Sequence, residues 1–115
     1  MHTRDLCSPP SPAGGADDQA FCINISVEHG DRIVHVSGEL DVATRNVMSR
    51  ACLENGDKSV VVEMAEMTFM DCCGYGGLVA ARQVLQQHGG TLTLRNQAGQ
   101  PAELLALLSI LEARR

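Results

Sequence analysis

The sequence predicts a single α/β domain, a mixed and mainly parallel sheet of about four strands covered by about three helices. Three observations carry this. The chain has 115 residues, 44% of them hydrophobic, enough for one small core and too few for two. Its hydrophobic period switches between strand-like alternation and helical stripes, in the order β, β, α, β, α, β, α. Strands alternating with helices imply parallel crossovers after an initial hairpin. Aromatics are scarce, with only Phe21, Phe69 and Tyr75, so the core is built from aliphatic side chains and methionine.

Residues 1–20, MHTRDLCSPPSPAGGADDQA, combine Pro, Gly, Ser and Asp with almost no apolar residue. Ordering them gains little burial, so they are expected to form a flexible N-terminal tail, with Cys7 an exposed thiol, and the domain proper to span 21–115. From Phe21 the pattern alternates strictly. Phe21, Ile23, Ile25 and Val27 take one face and Cys22, Asn24, Ser26 and Glu28 the other, as a half-buried strand requires. The turn EHGDR leads into RIVHVS at 32–37, and its glycine predicts an antiparallel hairpin.

Beyond GELD, Ala43, Val47, Met48, Ala51 and Cys52 share a helical stripe, which makes Cys52 a core residue. SVVVEM at 59–64 is a β-branched run expected to be covered on both faces. A helix over about 72–87 ends at HGG, where Gly89 suits a left-handed cap. TLTLRN at 91–96 reads as a strand. Pro101 fits the first turn of a last helix, with Arg114 and Arg115 complementing its negative end. Its Leu104, Leu107, Leu108 and Leu111 stripe predicts a monomer or weak homodimer.

Lys and Arg total 9 against 14 Asp and Glu, a net charge of -5, and no basic cluster marks a nucleic-acid partner. Neither a membrane-length apolar run nor a secretory leader is present, which predicts a cytoplasmic protein without a membrane partner. Five cysteines at irregular spacing do not form a secreted disulfide framework, so they are expected to be reduced.

The chemistry concentrates in TFMDCCGYGG, 68–77. A C-x5-R phosphatase loop fails because the sixth residue after Cys73 is Val79. Cys72 and Cys73 are adjacent rather than C-x-x-C, and no further cysteines are spaced for zinc. The glycines fit neither a P-loop, whose Lys-Ser/Thr end is missing, nor G-x-G-x-x-G, whose third glycine position is Val79. Cofactors and catalytic residues are therefore not expected. Asp71 is placed to cap the helix, which puts Cys72 and Cys73 in its first turn, where amides and helix dipole favour an anion while Asp71 opposes one. Gly74 and Gly76 admit two readings, close approach by a partner or tight packing of the turn on its neighbour. Tyr75 is either an exposed aromatic anchor or a ring folded over the helix.

SGELDVATRNVM, followed about thirty residues later by TFMDCCGYGGLVAARQVLQQHGGTLTLRN, resembles the STAS domain of bacterial anti-sigma factor antagonists. That family carries G-E-L-D and F-[ML]-D-S-S-G-L-G at a similar separation. The resemblance implies a non-enzymatic regulator of transcription, of the kind active in stress responses. It would bind an anti-sigma factor that is a GHKL-type serine kinase and so release a sigma factor, by partner switching. It also implies partner contacts at Asp41, Asp71, Gly74, Tyr75 and Gly76, and a switch at Cys73 with its neighbour Cys72. There the family serine receives a phosphate whose charge opposes docking.

This chain departs from the family in having cysteine at both serine positions and Tyr75 in place of leucine. A thiol is a poor acceptor for a serine kinase but is oxidisable. Two readings therefore stand: an antagonist without a kinase brake, or a thiol-based redox sensor or enzyme acting through a redox-sensitive Cys73.

Overall fold

The computed structural model describes residues 4–7, 21–54, 56 and 58–113, and side chains for 21–54, 56 and 58–110. Arg114, Arg115, the Leu111 side chain and most of the expected tail lie outside these. The elements are β1 (Arg4–Cys7), β2 (Cys22–Glu28), β3 (Asp31–Leu40), α1 (Arg45–Leu53), β4 (Ser59–Met70), α2 (Cys72–Gln87), β5 (Thr91–Arg95) and α3 (Gly99–Ala113). The sheet order is β1-β2-β3-β4-β5. β1 and β3 flank β2 antiparallel, whereas β3–β4 and β4–β5 are parallel.

The expected four-strand mixed sheet with three helices is therefore present as β2 to β5. It is extended by a strand the sequence does not announce, because Arg4–Cys7 pair with β2 instead of belonging to a flexible tail. The reason lies in the backbone. The outer edge of β2 offers unpaired amides and carbonyls, which a short segment satisfies whatever its hydrophobicity.

The hairpin forms as its sequence dictates. His29 and Gly30 both have positive φ, 53° and 85°, as a two-residue turn between right-twisted strands demands. β2 buries Ile23 and Ile25 and β3 buries Val34 and Val36. They meet Met48, Ala51 and Cys52 of α1 and Leu78, Ala81 and Leu85 of α2 in one cluster, with Leu104 and Leu105 of α3 packed against it. Helices thus cover one face of the sheet. In β4, Val60, Val62 and Met64 are fully buried while Val61 and Glu63 are only partly so, which corrects the two-faced cover expected for 59–64.

Arg32 is buried at 3% exposure. Its Nε donates to the Ala51 carbonyl (2.9 Å), and a terminal nitrogen pairs with Glu54 (3.0 Å). A cation there satisfies the Ala51 carbonyl in the last turn of α1 and ties that helix end to β3.

At its other end α2 closes as expected. Gly89 has φ 78°, and the amides of Gly89 and Gly90 donate to the carbonyls of Gln86 (3.1 Å) and Leu85 (2.7 Å), a capping arrangement that ends the helix.

Two register shifts in the β3–β4 ladder, between His35 and Ser37 and between Gly38 and Glu39, let β4 use extra residues beside β3. Such bulges bend and re-aim a strand. Here they align Leu40 with Met70, so that both strands end together and the turns that follow them touch.

Candidate functional site

The site lies at the carboxyl ends of the neighbouring parallel strands β3 and β4, where open α/β sheets place their binding surfaces. After β3 the chain makes a turn organised by Asp41. Its Oδ1 accepts from the amides of Ala43 (2.9 Å) and Thr44 (3.2 Å). The Thr44 hydroxyl accepts from the Asp41 amide (3.0 Å) and has its single proton for the Glu39 carbonyl (2.9 Å) or for Asp41 Oδ1 (3.2 Å). Short polar side chains closing on nearby backbone in this way define a turn. The tip is left outside, with Val42 61% exposed.

After β4 there is no such loop. Asp71 is extended, and its Oδ1 accepts directly from the Gly74 amide (2.8 Å) while its carbonyl accepts from Tyr75 (3.0 Å). This is the N-cap expected from the sequence. It starts α2 at once and places Cys72 and Cys73 in the first turn, both exposed with free thiols. Cys52 is the contrast: burial pushes its thiol up to about 12, against a smaller opposing pull from Arg32.

The two turns are joined through Leu40. Its carbonyl accepts from the Asp71 amide (3.3 Å), and a Cβ on Gly74 would collide with the same carbonyl oxygen. Gly77 is the next close approach, since a Cβ there would stand 3.0 Å from Arg45 Cβ and 3.3 Å from its carbonyl oxygen. Gly76 has nothing within 4 Å of such a position.

The two readings of the glycines thus divide between them. Gly74 is buried by packing and Gly76 is open to solvent. Tyr75 is partly buried against the core and lines a shallow depression with Leu78, Val79, Arg82, Leu92 and Leu94, which favours the ring folded over the helix.

Of the residues singled out in the sequence, Asp41, Asp71, Cys72, Cys73, Gly74 and Gly76 come together around these two turns, and Tyr75 is directed toward β5. Sequence reasoning missed three others. Thr44 closes the first turn, Gly77 admits α1, and Gln100 fastens α3 by accepting from the Met70 amide and donating to the Met70 carbonyl, both at 2.8 Å. Gly77 was legible as a small residue one helical turn after Gly74. Nothing local marks Gln100, whose partner is thirty residues away. A hollow of about 400 Å³, lined by Leu53, Lys58, Val84, Leu85 and His88 among others, lies at the opposite end of α2.

The profile of the STAS domain family matches residues 23–113. The chain belongs to the STAS domain family. Solved structures agree on the fold. A candidate anti-sigma factor antagonist from Thermotoga maritima superimposes with a TM-score of 0.68 at 14% identity, over 76% of this chain and 79% of that one. The anti-sigma factor antagonist SpoIIAA in its unphosphorylated form gives 0.53 at 21% identity, over 67% and 74%. An anti-sigma factor antagonist STAS domain from Rhodobacter sphaeroides gives 0.56 at 18%, over 66% and 86%. At these identities the likeness concerns the fold. Among the described residues of this STAS domain, no helix is long and apolar enough to cross a membrane.

Proposed function

We propose that this STAS domain is an anti-sigma factor antagonist, a non-enzymatic regulator acting in the cytoplasm. It binds an anti-sigma factor, a GHKL-type serine kinase, through the start of α2 and the turn after β3, and the bound partner releases its sigma factor. The observation that carries this reading is the exposed first turn of α2, Cys72 and Cys73, held against the Asp41 turn through Leu40. The D-C-C-G segment is the one that resembles the family's phosphoserine motif.

Asp41 and Asp71 shape the surface through their backbone bonds, Gly74 locks it, and Cys73, Gly76 and the exposed Val42 are left to face a partner. Tyr75 supports the helix from the β5 side. With a thiol at the switch position the kinase has no hydroxyl to modify, so the chain stays competent to bind. A second reading, a thiol-based redox sensor acting through Cys73, is favoured by the exposure of that thiol.

Calorimetry of the reduced chain with a GHKL-type anti-sigma factor and ATP tests both. Redox-independent binding without added phosphate is expected, Cys73→Ser should gain a phosphate, and Cys73→Asp should weaken binding about tenfold or more, ~1.4 kcal/mol. Binding lost only on oxidation, and preserved on oxidation in Cys73→Ser assayed without ATP, would transfer the role to the sensor. No binding to any partner of this class would refute the antagonist.

A further inference from the structure

Cys22 differs from the other described cysteines. Cys52, Cys72 and Cys73 carry free thiols, whereas Cys22 is disulfide-bonded, contrary to the reduced state expected from the sequence. It opens β2 on the face that alternates with buried Ile23 and Ile25. In the antiparallel β1–β2 ladder, the residue opposite Cys22 is Cys7, at the last rung. Directly opposed residues in such a ladder have Cα atoms about 4.5–5.5 Å apart. A disulfide requires about 4.4–6.8 Å. The register therefore suffices to bring the two cysteines to bonding distance with the backbone in place.

We propose that Cys7 and Cys22 form a reversible thiol–disulfide site whose oxidised form pins β1 to the edge of the sheet. The oxidant is a low-molecular-weight disulfide of the glutathione class. One cysteine thiolate attacks a sulfur of that disulfide, breaking its S–S bond, forming a mixed disulfide and expelling one small thiolate. The second cysteine, deprotonated, attacks the protein sulfur of the mixed disulfide and expels the other. Two protein thiols are oxidised, one small disulfide is reduced to two thiols, and the two protons released by the cysteines are taken up by the departing thiolates.

The bond has a structural consequence. β1 has four residues, so its ladder with β2 is short. Because β2 runs antiparallel to β3, the Cys7 and Cys22 rung lies toward the end of the sheet where β3 finishes, next to Ser37, whose hydroxyl donates to the Cys22 carbonyl (3.4 Å). The bond therefore adds a covalent tie at this rung, on the side of the sheet toward which β3 runs to Leu40. Closing a loop in the unfolded chain favours the folded, paired state.

The full chain, without any partner, provides the test, so its outcome is separate from that of anti-sigma factor binding. It is equilibrated with oxidised glutathione, denatured, alkylated and mapped by mass spectrometry. A peptide linking Cys7 to Cys22 is expected, with Cys52, Cys72 and Cys73 alkylated. Hydrogen exchange is then compared between this form, its dithiothreitol-reduced form and Cys7→Ser. The β2 amides facing β1 should exchange about tenfold faster in the last two, with β3 to β5 unchanged. Cys7→Ser leaves β2 itself unaltered, so it reports even if a Cys22 variant misfolds. Alkylation of all five cysteines after oxidation, linkage of Cys22 to a different cysteine, or equal β2 exchange in the three samples would each overturn the proposal.

Discussion

Two aspartates end two adjacent parallel strands, and the chain uses them in opposite ways. Asp41 closes a turn before α1 begins, its carboxylate accepting from the amides of Ala43 and Thr44. Thr44, the cap residue itself, makes no side-chain capping bond to α1. Asp71 makes no loop and caps α2 directly through the Gly74 amide. The same residue type at the same end of a sheet therefore produces a projecting tip in one case and an exposed helix start in the other. What distinguishes them is the residue three positions on. Thr44 brings a hydroxyl that bonds back to Asp41 and Glu39, whereas Gly74 brings no side chain and lets the helix lie on the Leu40 carbonyl.

The strongest way to break this contrast is to give Gly74 a side chain. Gly74→Ala drives a methyl group into the backbone oxygen of Leu40, which has no rotamer to change, and a loss of about 3 kcal/mol in chemical denaturation is expected. Removing the carboxylate from the looped turn comes next. Asp41→Ala leaves two amides without their acceptor and should lower stability by about 2 kcal/mol, with Asp41→Asn recovering most of it in the same assay. Asp71→Ala loses one capping bond, so a smaller loss of about 1 kcal/mol is expected, visible as faster hydrogen exchange confined to the first turn of α2.

The smallest effect has the opposite sign. Gly76→Ala points into open space and should raise the melting temperature slightly, by an increment equivalent to roughly 0.5–1 kcal/mol, because alanine is the better helix former. If Gly76→Ala proved as damaging as Gly74→Ala, the division of the two glycines into packed and open would be wrong.

Much of this was legible in the sequence because it depends on neighbours along the chain. The alternation from Phe21 to Glu28, the positive-φ turn at His29 and Gly30, the capping Asp71 and the closing Gly89 are local properties. They gave β2, the hairpin and the limits of α2. Cys52 was legible as a core residue from its helical spacing with Met48, whose sulfur its thiol approaches at 3.6 Å.

Other features depend on partners distant in sequence. The strand Arg4–Cys7 lacks apolar alternation and exists because β2 presents an open edge. β4 runs on to Met70, past the 59–64 read from its β-branched run, because β3 continues beside it and two bulges absorb the mismatch. Leu107 and Ile110 face outward at 61% and 54% exposure, so the inner stripe of α3 is not the one counted from leucine spacing alone. Its orientation is set by Gln100 gripping Met70.

By itself, the sequence determined the element order, the capping aspartate and the presence of two cysteines in the first turn of a helix, since hydrophobic period and capping act over a few residues. Only the tertiary structure decided which glycine is packed and which is open, that Tyr75 leans on the core, and that Cys22 stands opposite Cys7. Each of those outcomes depends on which backbone arrives from elsewhere: Leu40 against Gly74, β5 beside Tyr75, and β1 along the free edge of β2.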